Sequence, residues 1–128
     1  ETFWANYQYK YEFNPSHFHS DIYSFVIWLK IPYNHHTEVL DKRFTGTKPF
    51  DRKAGCFEFT YPHPNNGLYH SSIDIDSYTY RLDKSYEGTM LFFPSSLTHQ
   101  VYPFYSTDEK RISLSGNINF NAFLKDGK

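Results

Sequence analysis

His99 is followed twelve positions later by Arg111, and Ser113 stands two residues beyond that arginine. A neutral imidazole suits a metal and a guanidinium suits an anion, so the pair fits redox chemistry on a metal with an anionic co-substrate. On an extended backbone residues i and i+2 share a side, which puts the Arg111 guanidinium with the Ser113 hydroxyl. Such a pair holds a carboxylate through a bidentate fork and one further donor. A strand-end arginine paired with Asp108 or Glu109 satisfies the same residues without any ligand. Nearer the start, Asn14-Pro15-Ser16-His17-Phe18-His19-Ser20-Asp21 repeats the two-residue spacing, first between His17 and His19 and then between His19 and Asp21. His19, Asp21 and a remote His99 form a 2-His-1-carboxylate triad, the arrangement that leaves open positions on Fe(II). His17, His19 and His99 form instead a three-histidine site open to zinc or iron. A solvated polar loop is the third reading of the same stretch. His35, His36, His63 and His70 fall in charged or turn-rich sequence and are assigned no role.

The elements that must position these groups read as strands. Phe3, Ala5, Tyr7, Tyr9, Tyr11 and Phe13 alternate with Trp4, Asn6, Gln8, Lys10 and Glu12, the period of a strand with one aromatic face. Asn14-Pro15-Ser16 breaks that pattern, and Ile22 to Ile31 is apolar enough to predict a central strand buried on both faces. The stretch 33–54 reads as an exposed excursion with a short helix at His36 to Arg43. Gly55 to Tyr61 alternates again, and Pro62 to Gly67 is turn chemistry. Ile73 to Leu82 predicts a strand whose apolar phase slips between Ile75 and Tyr78, as a bulge produces. Asp83 to Gly88 is a turn, Met90 to Phe93 a short buried strand, and Pro94 to Leu97 a bend that delivers His99 and Val101. Arg111 to Phe120 is the last strand, with Ile112, Leu114, Ile118 and Phe120 on one face and Arg111, Ser113, Ser115, Asn117 and Asn119 on the other. About seven short strands without a confident long helix predict an all-β sandwich or barrel, a jelly roll first.

Composition bounds the rest. A chain of 128 residues suits a single domain over 1–128 with a sizeable core. Aromatic residues make up 21% of the chain, a composition that favours pleated sheets over helices. A formal charge of −1, from 13 basic and 14 acidic residues, argues against generic nucleic-acid binding. Cys56 is the single cysteine, so no intrachain disulfide and no thiolate zinc cluster is available, and a reducing, cytoplasmic location fits. Neither a transmembrane-length apolar run nor a basic-then-apolar leader is present, so no membrane partner is expected. The start at Glu1 without methionine leads us to expect a missing amino-terminal segment.

The stretches NPSHFHSDIYSFVIWLKIP and YEGTMLFFPSSLTHQVYPFYSTDEKRISLSGNI resemble the 2-oxoglutarate- and Fe(II)-dependent oxygenases of the prolyl-hydroxylase-like superfamily, most of all small members from marine phages and bacteria. Trp4-Ala5-Asn6, His17-Phe18-His19, Gly88 through Val101, Arg111-Ile112-Ser113 and Asn117 fall in the order of that family's pattern, across nearly the whole chain.

The resemblance implies a double-stranded β-helix with iron at the mouth of the jelly roll, His99 as the distal ligand, and Arg111 with Ser113 receiving the distal carboxylate of 2-oxoglutarate. Asn6 is implied to line the co-substrate pocket. Superfamily enzymes use His-x-Asp/Glu, which matches His19-Ser20-Asp21, whereas the nearest members use His-x-His, which matches His17-Phe18-His19; His19 serves in both registers. Dioxygen and 2-oxoglutarate are the implied co-substrates and hydroxylation of a C–H bond the implied reaction, in the cytoplasm of a bacterium or a phage-infected host. The primary substrate, a peptidyl-proline, another protein or a small molecule, stays open, as does a homodimer. Two other readings compete: a non-catalytic jelly-roll binding or phage structural module with a degenerate site, and a cupin-like three-histidine metalloprotein that leaves Arg111 and Ser113 unemployed.

Overall fold

The computed structural model describes residues 2–41, 48, 52–64 and 73–120. Eight strands follow one another: β1 (Thr2–Gln8), β2 (Asn14–His17), β3 (Tyr23–Lys30), β4 (Phe57–Pro64), β5 (Ile73–Tyr80), β6 (Met90–Pro94), β7 (Thr98–Val101) and β8 (Arg111–Ile118). One helical turn, α1 (His35–Glu38), and a 3-10 turn at Lys84–Tyr86 are the helical elements among the described residues. Two four-stranded sheets form, with strand orders β1-β8-β3-β6 and β2-β7-β4-β5, every pairing antiparallel. This is the expected all-β, jelly-roll-like architecture with only short helices.

Alternation in the strands decides what lies between the sheets. In β3 Ser24, Val26 and Trp28 are buried, while Tyr23 and Leu29 are exposed. The expectation of a strand buried on both faces is therefore corrected: Val26 and Trp28 pack into the core, and the other face of β3, equally apolar, looks outward. Trp28 meets Phe57 and Tyr86 edge-on, each with ring centroids 5.8 Å apart, and Phe59 meets Phe93 at 4.8 Å. Edge-to-face pairs of this kind add about 0.5–1.5 kcal/mol each beyond area burial. Val26, Trp28, Phe57, Phe59, Leu82 and Phe93 thus belong to an inter-sheet core, while many of the other aromatic residues, Phe3, Tyr7 and Phe92 among them, are exposed.

Several boundaries differ from the sequence reading. The opening strand stops at Gln8 instead of running to Phe13, because the chain turns at Tyr11, which has φ 70°. Asn14-Pro15-Ser16, read as a break, is part of β2; as an edge strand it tolerates a proline that donates nothing to the ladder. The helix covers His35–Glu38 rather than His36 to Arg43, and residues 42 and 43 lie outside the described set. Pro62, His63 and Pro64 continue β4 instead of turning, while 65–67 lie outside the described residues. No bulge interrupts β5, whose register against β4 is continuous from Phe57↔Tyr80 to Pro64↔Ile73. Irregularities fall instead between Trp28 and Lys30 in β3 and between Asn14 and His17 in β2.

Behind the core, α1 is pinned by its own buried carboxylate. Glu38, fully buried, accepts from the backbone N–H groups of Tyr105 and Ser106, at 2.7 and 3.3 Å, and from the Ser106 hydroxyl. The β7–β8 connection is thereby tied to α1, just before Arg111 enters β8.

Candidate functional site

β2 and β7 are neighbours, and their register sets His17 directly opposite His99. His19 follows β2 by two residues, and its backbone N–H donates to the carbonyl of Ser95 at 2.9 Å, which turns the segment onto the β6–β7 bend. The three imidazoles meet: ring centroids are 4.2 Å apart for His17 and His99, 5.2 Å for His17 and His19, and 5.4 Å for His19 and His99. One nitrogen from each lies within 4.8 Å of the other two. Asp21 is not part of this set; its carboxylate accepts from the Asn119 side-chain amide at the surface.

Backbone carbonyls fix the ring tautomers. His17 Nδ1 lies 2.6 Å from the Pro15 oxygen and His99 Nδ1 lies 3.0 Å from the Leu97 oxygen. A carbonyl only accepts, so each Nδ1 carries the proton and each Nε2 keeps its lone pair. His99 is 6% exposed, packed against Phe57, Phe59 and Phe93. That burial, helped by the neighbouring His17 and His19, pushes its pKa down to about 4, against the opposing pull of its bond to Leu97. Burial also lowers His19, with His17 acting in the same direction and Asp21 opposing it. At neutral pH both rings are therefore held in the form that binds metals.

The residues fit an iron ion by the chemistry of this donor set. Neutral imidazole nitrogens are ligands for Fe(II) and Zn(II) alike. Nitrogens sharing one ion through bonds of about 2.1 Å sit roughly 3–4 Å apart, and one nitrogen from each ring lies within 4.8 Å of the others here.

The other end of the site is built from β1, β8 and Tyr33. Gln8 and Arg111 are register partners, and Arg111 is only 3% exposed. Arg111 Nη1 donates to the Tyr33 hydroxyl at 2.6 Å and Nη2 donates to the Gln8 amide oxygen. Both partners are neutral. Among the described residues no carboxylate pairs with this guanidinium, since Asp108 and Glu109 pair instead with Lys10 and Lys30. A buried, unneutralised guanidinium is costly to desolvate and is a ready receptor for an anion. Tyr33 stacks on Phe104 at 4.8 Å and donates its hydroxyl to the Gly55 carbonyl at 2.7 Å. Burial raises the Tyr33 pKa, with Arg111 opposing, so the hydroxyl stays protonated and donating.

Gly55 has φ +71°, and a Cβ there would lie 2.5 Å from the Tyr33 ring. Only glycine accommodates both that conformation and that contact.

Between the two ends runs a neutral polar ladder on the inward face of β8. Asn6 accepts from Trp4 Nε1 at 3.1 Å and donates to Ser115 at 3.0 Å and Ser113 at 3.4 Å. Because Ser113 accepts there, its own hydroxyl proton remains available to a ligand. Ser24 donates to Asn117 at 2.8 Å and shares a 2.7 Å hydrogen bond with Ser95. His17, His19, His99, Asn6, Arg111 and Ser113 all line one cavity of about 720 Å³. That is ample for a small dianion and part of a second molecule.

A sequence model described as "Putative 2OG-Fe(II) oxygenase" matches residues 2–117. The chain belongs to that family. No curated protein and no solved structure is matched by the chain. Membership in the 2OG-Fe(II) oxygenase family implies iron and 2-oxoglutarate, and the three-histidine cluster is compatible with that pair. No helix among the described residues is long and apolar enough to cross a membrane.

Gln8 and Tyr33 escaped the sequence reading as partners of Arg111. Gln8 shares the alternating face of Trp4 and Asn6, a signal present in the sequence. Tyr33 carries no such signal, because 78 residues separate it from Arg111.

Proposed function

We propose that this member of the 2OG-Fe(II) oxygenase family is an Fe(II)- and 2-oxoglutarate-dependent dioxygenase of the hydroxylase type, with His17, His19 and His99 as the metal ligands. The observation that carries this reading is the pairing, in one cavity, of three convergent imidazoles with a buried guanidinium whose described partners are all neutral. A metalloprotein without an anionic co-substrate leaves that guanidinium unexplained.

Bound together, iron and 2-oxoglutarate supply oxidation of a C–H bond by dioxygen, coupled to decarboxylation of the 2-oxo acid to succinate. The chain does the rest. Pro15 and Leu97 hold the Nδ1 atoms of two imidazoles, so that Nε2 of each would be free to bind the metal. Arg111 receives the distal carboxylate through its planar fork, and Ser113 adds one donor that Asn6 orients. Tyr33 and Gln8 aim the guanidinium, while Phe57, Phe59 and Phe93 keep the His99 side of the cavity dry. Asp21 acts through charge on His19 rather than as a ligand.

Anaerobic titration with Fe(II) and 2-oxoglutarate tests the reading. A weak visible charge-transfer band is expected in the parent chain and in Asp21→Ala, and is absent from His99→Ala. Its absence from the parent chain, or its loss in Asp21→Ala, overturns the ligand set.

A further inference from the structure

Asn117 is the last polar side chain on the inward face of β8, and its amide is held by a chain of buried hydroxyls. Ser95 is fully buried and Ser24 is 2% exposed. The Ser24 oxygen lies 2.7 Å from that of Ser95 and 2.8 Å from the side-chain oxygen of Asn117. Each hydroxyl has one proton to give. Ser24 is the only described partner of the Ser95 hydroxyl, so Ser95 donates to Ser24 and Ser24 passes its own proton on to Asn117. The receiving atom must then be Oδ1. With the amide turned over, Nδ2 would donate to Ser24 and the Ser95 proton would be buried without an acceptor. Nδ2 is thereby left free of Ser24. It has no partner among the described residues, and since no buried side-chain nitrogen or oxygen goes unpaired there, it opens onto the cavity that Asn117 lines.

The register places this donor beside the histidines and away from Arg111. The Ser95 carbonyl accepts the His19 backbone N–H at 2.9 Å. Ser24 pairs with Phe93 as well as with Asn117, and the Phe93 ring meets that of His99 at 5.1 Å. Arg111 lies six residues back along the strand, about 20 Å at the rise of an extended chain. Gln8, directly opposite, holds its Nη2, so the fork stays in its own row. The histidine rings enter this interval from the facing sheet. A five-carbon dicarboxylate spans only about 5 Å between its end carbons, so one molecule does not hydrogen-bond to both Arg111 and Asn117.

We propose that Asn117 Nδ2 recognises the primary substrate by donating to an uncharged carbonyl oxygen. This rests on the co-substrate reading above, in which both ends of 2-oxoglutarate are already employed. Among the described residues Arg111 and Glu12 are the only charged Lys, Arg, Asp or Glu side chains lining the cavity, and both belong to the arginine end, Glu12 through the bond of its carbonyl to Gln8. An anionic oxygen therefore finds no protein cation beside Asn117, whereas a neutral carbonyl needs only the donor. Because Oδ1 is taken by Ser24, Asn117 offers protons and no acceptor, and the substrate needs no N–H to match it. Trp4, one row away on β1 and edge-on to His19 at 6.3 Å, supplies an aromatic wall at the same end.

Nuclear magnetic resonance of the isotope-labelled chain loaded with Zn(II) and 2-oxoglutarate tests the proposal. The Asn117 side-chain amide signals are identified by their absence from Asn117→Ala or, should that variant misfold, from Asn117→Leu. N,N-dimethylacetamide, a carbonyl probe without an N–H, is expected to move these signals saturably, in the millimolar range that suits so small a ligand. N-methylacetamide should move them as far, and acetate at matched ionic strength severalfold less. In calorimetry the Zn(II)-loaded variant and parent chain should bind 2-oxoglutarate within about twofold of each other, where losing a donor to a carboxylate would cost about tenfold or more. The proposal is overturned by signals that ignore both amides, by acetate acting as strongly, by a requirement for the probe's N–H, or by a tenfold loss of 2-oxoglutarate affinity in the variant, which makes Asn117 a co-substrate ligand. A parent chain that binds Zn(II) but no 2-oxoglutarate overturns the co-substrate reading and the proposal with it; normal binding with no response to the amides overturns the proposal alone.

Discussion

The two ends of the cavity are built in opposite ways. At the histidine end the strand register brings the rings together, but each ring is oriented by its own neighbourhood: His17 leans on Pro15 and His99 on Leu97, each two residues away. At the arginine end the partners are remote, Tyr33 lying 78 residues and Gln8 103 residues from Arg111. The histidine end also needs burial to keep an imidazole neutral, whereas the arginine end keeps its charge and is buried with neutral donors and acceptors. A local arrangement tolerates distant change; a long-range one fails when any element that meets there shifts.

The largest effect expected from breaking this contrast is at His99. Replacing it with Ala removes one of three proposed ligands, so Fe(II) or Co(II) affinity should fall by more than a hundredfold in anaerobic calorimetry, beyond the 10–100-fold typical of residues that merely orient ligands. Asp21→Ala should change that affinity by less than about twofold if its influence is confined to charge on His19.

At the opposite end, Arg111→Ala should raise the apparent KM for 2-oxoglutarate more than tenfold, through loss of a bidentate charged contact, while metal affinity stays put. An unchanged KM removes the anchor role from Arg111.

Gly55→Ala tests whether the arginine end is as non-local as it looks. The added methyl group meets the Tyr33 ring and forces a non-glycine residue into positive φ, so we expect about 1–3 kcal/mol of lost stability in urea unfolding. A severalfold weaker hold on 2-oxoglutarate should accompany it, and the three-histidine site should keep its metal affinity. Tyr33→Phe, which deletes only the hydroxyl shared by Arg111 and Gly55, should show the same pattern at about 1–2 kcal/mol.

A further effect is in pH dependence. His99 has its folded pKa depressed to about 4 from an ordinary value near 6.5. The unfolded chain therefore takes up a proton there before the folded one does. Stability from this group is present in full above about 6.5 and declines as pH falls from there toward 4. His99→Gln should flatten the stability profile of the metal-free protein across that window, as followed by thermal unfolding; an equally steep profile assigns the dependence to other groups.

Much of this was legible in the residues. Strict alternation in β1 and β8 predicted strands and placed Arg111 with Ser113, because a period of two leaves no other geometry. His-x-His spacing put two imidazoles on one side of an extended segment, and the aromatic content predicted a sheet protein. The sign of the faces was not legible. The aromatic run Phe3, Tyr7 looks like a core-facing stripe, and the structure turns it outward so that Trp4, Asn6 and Gln8 line the cavity. Alternation states which residues travel together, never which side the second sheet occupies. The choice between His17 and Asp21 was equally closed to sequence, since both stand two residues from His19. The β2–β7 register selects His17 as the neighbour of His99, by pairing strands more than eighty residues apart. Likewise only the tertiary structure brings Tyr33 and Gln8 to Arg111. Local sequence determined the chemistry available to this protein, through residue type and period; which groups meet was decided by the packing of two sheets, whose contacts are almost all remote in the chain.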